Sequence, residues 1–261
     1  RQNQAADAPH YRDSFMKRLW LPGALLSMML VPFAVADDDS DLKSARIHTE
    51  LSYQYFLRGQ YGVALDEARI AIKAKRSYAP AYNTLAMINA ELKEDEAAED
   101  AFKDGLGYQP SDSDLNHNYG WFLCQRGRAK DSIKYFRTAL KNPLYASPEK
   151  ALVSAGVCSM RAGDSEAANV FFDKALMLKP DYPPALWHLA EENFKLNRPG
   201  DARRNLLRYH RVAGETSASL WLGVRIERRL GDKEAEMGYA SKLKNNFPES
   251  RETAEMLNGQ P

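Results

Sequence analysis

Residues 79–112 read APAYNTLAMINAELKEDEAAEDAFKDGLGYQPSD. Counted from Ala79, Tyr82 stands at position 4, Leu85 at 7, Ala86 at 8, Ala98 at 20, Phe102 at 24, Gly105 at 27 and Pro110 at 32. The same order recurs on both sides. Position 8 is Ser52, Ala86, Gly120, Gly156, Ala190 and Gly223; position 20 is Ala64, Ala98, Ser132, Ala168, Ala202 and Ala235. Position 24 is Ala68, Phe102, Phe136, Phe172, Leu206 and Tyr239. Repeats therefore start near residues 45, 79, 113, 149, 183 and 216. Small side chains at 8 and 20 let two antiparallel helices approach closely, and the residue at 24 fills the space toward the next unit. Pro110, Pro143, Pro180 and Pro248 fall at or next to position 32 and help to end the second helix, which a proline ring cannot continue.

A sustained spacing of this kind marks stacked hairpins rather than an ordinary helical bundle. The pattern is that of the tetratricopeptide repeat. The reading is all-α: a right-handed superhelical solenoid of six such repeats over residues 45–248, with residues 249–261 as a C-terminal capping helix and tail that cover the last apolar face. Residues 37–44 read as a flexible acidic linker. Turns Arg58-Gly59-Gln60, Gln125-Arg126-Gly127 and Arg161-Ala162-Gly163 place a glycine just past a helix end. The stretch 143–148 is longer than the other junctions and predicts a local change of superhelical twist.

The 261 residues carry 36 Lys+Arg and 35 Asp+Glu, a net charge of +1, which argues against nucleic-acid binding through bulk charge. Residues 1–36 read as a short upstream stretch plus a cleaved signal peptide: a start at Met16, basic Lys17-Arg18, an apolar run from Leu19, and cleavage after Ala36. That run is too short to span a bilayer comfortably.

Cys124 and Cys158 fall in the first helices of the third and fourth repeats. Adjacent packed helices can bring Cα atoms within the roughly 4.4–6.8 Å that a disulfide needs. An exported chain favours that bond; the alternative is two buried thiols acting as small apolar residues. No phosphate loop, nucleophile elbow or zinc-binding helix motif occurs, so no catalytic residue, cofactor or metal site is expected. A repeat array of this kind binds proteins along the groove of its first helices. Its groove positions are expected at Tyr53, Phe56, Asn83, Met87, His117, Trp121, Met160, Trp187 and Phe194, with Lys150, Arg161, Lys195 and Arg228 among them. Aromatic and methionine side chains with a few cations suit a docked peptide or helix.

The block Asn118-Tyr119-Gly120-Trp121-Phe122-Leu123-Cys124, the junction Asn142-Pro143-Leu144-Tyr145 and Leu222-Gly223-Val224-Arg225-Ile226 resemble the PilF/PilW family of type IV pilus biogenesis proteins. The likeness runs over about residues 45–250. It implies a non-enzymatic, periplasmic, outer-membrane-associated protein that binds the pilus secretin or another pilus-assembly component. Pilotin-type members carry a lipidated cysteine after the signal peptide; Asp37 stands there in this chain, so any membrane association is expected to be indirect. A tetratricopeptide-repeat adaptor of another envelope-assembly process, or a regulatory subunit recruiting an envelope enzyme, are the alternative readings.

Overall fold

The computed structural model describes residues 33–259. Residues 1–32, with Met16 and most of the expected signal peptide, lie outside them. The first five hairpins are α1 (Phe33–Leu57) with α2 (Tyr61–Ala74), α3 (Ala79–Glu91) with α4 (Asp95–Tyr108), α5 (Ser113–Gln125) with α6 (Ala129–Ala139), α7 (Pro148–Arg161) with α8 (Ser165–Leu178), and α9 (Pro183–Lys195) with α10 (Pro199–Ala213). The sixth pairs α11 (Ser217–Leu230) with α12 (Lys233–Asn246), and α13 (Arg251–Leu257) packs back on both. From α1 to α9 each first helix also touches the first helix of the next repeat, and Arg225 and Arg229 of α11 reach Phe194 of α9, which makes the array a solenoid of tetratricopeptide repeats.

One expectation fails at the start. Residues 37–44 are helical, within α1, not a flexible lead-in. No glycine or proline interrupts residues 33–57. The added turns are tied down by Asp38, which pairs with Lys75 just past α2, and by buried Ala45.

The repeat positions act through close approach. A Cβ on Gly156 would lie 2.4 Å from the Phe172 ring, and one on Gly223 would lie 2.8 Å from Tyr239. In the third, fourth and sixth repeats position 8 thus meets position 24 of its own repeat, and the aromatic lies where a side chain at 8 would go; the second repeat accommodates both Ala86 and Phe102. Where position 24 is small or aliphatic, position 8 keeps a Cβ: Ser52 faces a repeat with Ala68, and Ala190 one with Leu206. Ser52 uses its hydroxyl to donate to the carbonyl of Ala64, joining positions 8 and 20 at 2.7 Å.

Helix starts are specified locally. Asp112, Asp164 and Asp232 accept from backbone N–H groups in the first turns of α5, α8 and α12. Thr216 and Ser219 form a reciprocal capping box at α11. Ser250 caps α13, at the expected C-terminal helix.

The long third-to-fourth connection is an ordered plug. Tyr145 is buried and packs on Ala139 and Ala151, and Asn142 donates to Ser113 at 3.3 Å. Among the described residues, no helix is long and apolar enough to cross a membrane.

Candidate functional site

The first helices of the first four repeats line one side of the solenoid. There a cavity of about 530 Å³ is bordered by Phe56, Met87, Asn118, Trp121, Phe122 and Arg161. Phe56, Met87 and Trp121 come from the expected set. Two more of that set are next to them. The half-exposed Tyr53 ring lies 6.3 Å from Phe56, and Asn83 accepts from Asn118 at 3.1 Å. The same Asn118 amide reaches the Met87 sulfur at 3.4 Å, so it fixes both groove residues of the preceding repeat. Position 6 of the repeat was not among the expected groove positions.

Arg161 lies over Trp121, its guanidinium carbon 5.5 Å from the ring centroid. Such a cation–π contact leaves the guanidinium edge free to meet an acceptor. Arg126, read from the sequence only as part of a turn, is instead fully engaged. Its Nε lies 2.8 Å from both Asp95 oxygens, and Nη2 donates to the Ala90 carbonyl at 3.0 Å. That hydrogen bonding holds the Asp95 carboxyl below its ordinary range.

Four expected groove residues sit elsewhere. His117 is drawn into the third-to-fourth junction, with Nε2 3.0 Å from Ser154 Oγ and Nδ1 3.1 Å from the Tyr145 hydroxyl. Burial, with Lys150 nearby, pushes its pKa down to about 4. Met160 packs on the core around the two cysteines. Trp187 packs against Tyr209 at 5.5 Å. Phe194 is 5% exposed and lies under two guanidiniums, Arg225 at 4.8 Å and Arg229 at 4.4 Å. At Phe194 the arginines of the following repeat roof over a side chain that its own repeat would leave open.

The structure brings Cys124 of α5 and Cys158 of α7 together in disulfide geometry, their Cα atoms 5.8 Å apart. Both are buried, and Arg161 Nη1 lies 3.8 Å from the Cys124 sulfur. The pair therefore backs directly onto the Trp121–Arg161 wall of the groove.

Between α4, α5 and α6 a further set of polar groups is paired. Burial raises the Glu99 carboxyl, but hydrogen bonds from Arg128, Lys103 and Tyr119 outweigh it and leave the pKa at about 2. Burial and the bond to Glu99 raise the Tyr119 phenol. Among the described residues, no group of three His, Cys, Asp or Glu side chains could hold a metal ion.

Helix pairs in this register define a tetratricopeptide-repeat protein, and that repeat family matches residues 79–112. The chain is 24% identical over 238 residues to the type IV pilus assembly protein PilF of Pseudomonas aeruginosa, covering 88% of this chain and 94% of that protein. The crystal structure of PilW, a widely conserved type IV pilus biogenesis factor, superposes with a TM-score of 0.73 at 32% identity, over 82% of this chain and 98% of PilW. A structure of Pseudomonas aeruginosa PilF superposes with a TM-score of 0.75 at 23% identity, over 85% of this chain and 100% of that one. The chain belongs to the PilF/PilW family of tetratricopeptide-repeat proteins.

Proposed function

We propose that this chain is a periplasmic, non-enzymatic scaffold of type IV pilus biogenesis that binds the pilus secretin, or a protein assembled with it, in the groove of its first helices. The observation that carries the reading is the cavity shared by four consecutive repeats, in which Phe56, Met87 and Trp121 supply apolar contact and Arg161 an exposed cation. Large rigid aromatics and arginine in a desolvated pocket are the groups that dominate binding energy at protein interfaces. The place of PilF in pilus assembly and of PilW in pilus biogenesis supports the process.

The export reading rests on the sequence of residues 16–36. In an oxidising compartment the Cys124–Cys158 pair is a stable disulfide, which holds the two helices behind the groove at fixed spacing. The membrane is reached through the partner.

The test is a chromosomal deletion complemented with the wild-type gene or with Trp121→Ala plus Arg161→Glu. Surface pili and heat-resistant secretin multimers in the outer-membrane fraction are then measured. The deletion is expected to lose both, with the double variant restoring neither fully. Normal piliation and normal multimers in the deletion strain would contradict the assignment.

A further inference from the structure

The opposite face of the solenoid, made by the second helix of each repeat, carries an opening that the groove does not account for. α6 has 11 residues where α8 has 14. Matched from their first residues, Ala129 and Ser165, α6 stops opposite Ala175. The last turn of α8, with Met177 and Leu178, runs beyond that length, and both second helices pack on α7. After α6 the chain leaves into residues 140–147, and a cavity of about 840 Å³ opens between the helices. Leu140, Val170, Phe171 and Met177 line it, with Met177 81% exposed. Arg137 from α6 and Lys174 from α8 border it, and no Asp or Glu does. Neither cation has an ion-pair partner among the described residues.

We propose that this groove between α6 and α8 docks an amphipathic helix of a partner protein, its leucine-rich face seated against Val170, Phe171 and Met177 and its flanking carboxylates paired with Arg137 and Lys174. α6 and α8 pack on α7 and not on each other, so the opening between them leaves apolar side chains of α8 for a guest helix to cover at the usual interaxial distance of about 8–10 Å. A helix anchored by residues one turn apart suits such a slot. The cations, one on each wall, give the slot its preference for acidic flanks over basic ones. A single acyl chain would cover the floor but meet the two walls with one anionic head. A second copy of the chain offers α4 as its acidic amphipathic helix, and the apolar face of α4 is already buried in its own repeat.

The experiment uses the purified full chain and two fluorescein-labelled amphipathic peptides of equal length, one built from Leu, Ala and Glu, its twin with Lys for every Glu. Fluorescence anisotropy is expected to show binding of the Glu peptide and at least roughly ten-fold weaker binding of the twin. Arg137→Glu with Lys174→Glu, or Met177→Asp alone, is expected to weaken the Glu peptide by a similar factor. These positions are exposed, and melting curves check that the fold is kept. Trp121→Ala is expected to leave this binding unchanged, which separates the site from the groove proposed above. The proposal is overturned by no binding, by equal binding of the two peptides, by wild-type affinity in the Arg137/Lys174 variant, or by loss in Trp121→Ala instead. It is equally overturned if phosphatidylglycerol vesicles displace the peptide, or if Met177→Asp abolishes a dimer of the free chain.

Discussion

The third-to-fourth and fifth-to-sixth junctions solve one problem by different means. At the first, a covalent pair, Cys124 and Cys158, joins the first helices, and His117 reaches Ser154 and Tyr145 across the same gap. At the second, Arg203 of α10 grips buried Glu227 of α11 and also meets Asp232 at 3.1 Å, while Arg225 and Arg229 close over Phe194. In a repeat array each interface carries its own stability. The covalent tie sits where the connection is long and α6 is short, opposite the opening on the second-helix face. The fifth-to-sixth junction keeps full-length helices and does without a bond. The comparison teaches that the cysteine pair lies at a junction already packed through the buried Tyr145, while the fifth-to-sixth junction relies on buried ion pairing.

The strongest way to break the comparison is to cut the covalent tie. Closing a loop with a sequence separation of 34 is worth about 3–4 kcal/mol. Cys124→Ser with Cys158→Ala is expected to lower unfolding stability by that amount in denaturant titrations. Dithiothreitol should act similarly on wild type and not at all on the variant.

Next comes the ionic junction. Arg203→Met leaves Glu227 buried without its partner. A fully buried pair broken this way costs about 3–5 kcal/mol, and the 35% exposure of the Arg203 side chain reduces this to about 2–3 kcal/mol. High salt should weaken the wild-type junction slightly and leave the cysteine-tied junction unaffected, as hydrogen exchange in α11 and α7 would report.

Acid sharpens the contrast more gently. The His117 imidazole ordinarily titrates near 6.5, and its burial holds it to about 4 in the fold. Between those values the unfolded chain binds the extra proton, so stability falls as pH drops from about 6.5 toward about 4 and is unaffected by this group above that window. His117→Gln is expected to flatten the slope there. A residual slope should remain from His210, whose pKa is also lowered by burial and whose Nε2 lies 2.9 Å from Ser219 at the other junction.

Much of this was readable from residue types. Small residues at positions 8 and 20 and prolines near 32 located the hairpins, and the spacing of the cysteines put them on the neighbouring first helices α5 and α7. Of the expected groove positions, Phe56, Met87 and Trp121 still border the cavity after the next repeat has packed against them. Phe194 and His117 escaped because the next repeat decides their environment: two arginines cover the one, and Tyr145 and Ser154 engage the other. The short α6 and the buried Tyr145 depend on how residues 140–147 fold back, which a repeat pattern does not encode.

The central claim is that the first-helix groove holds a pilus-assembly protein. The direct measurement is the affinity of purified chain for the purified pilus secretin, by surface plasmon resonance, with Trp121→Ala plus Arg161→Glu as the comparison. Saturable binding that weakens by roughly ten-fold or more in the variant, with an unchanged melting curve, is the predicted result. Unaltered affinity in the variant, or no binding by the wild-type chain, would contradict it.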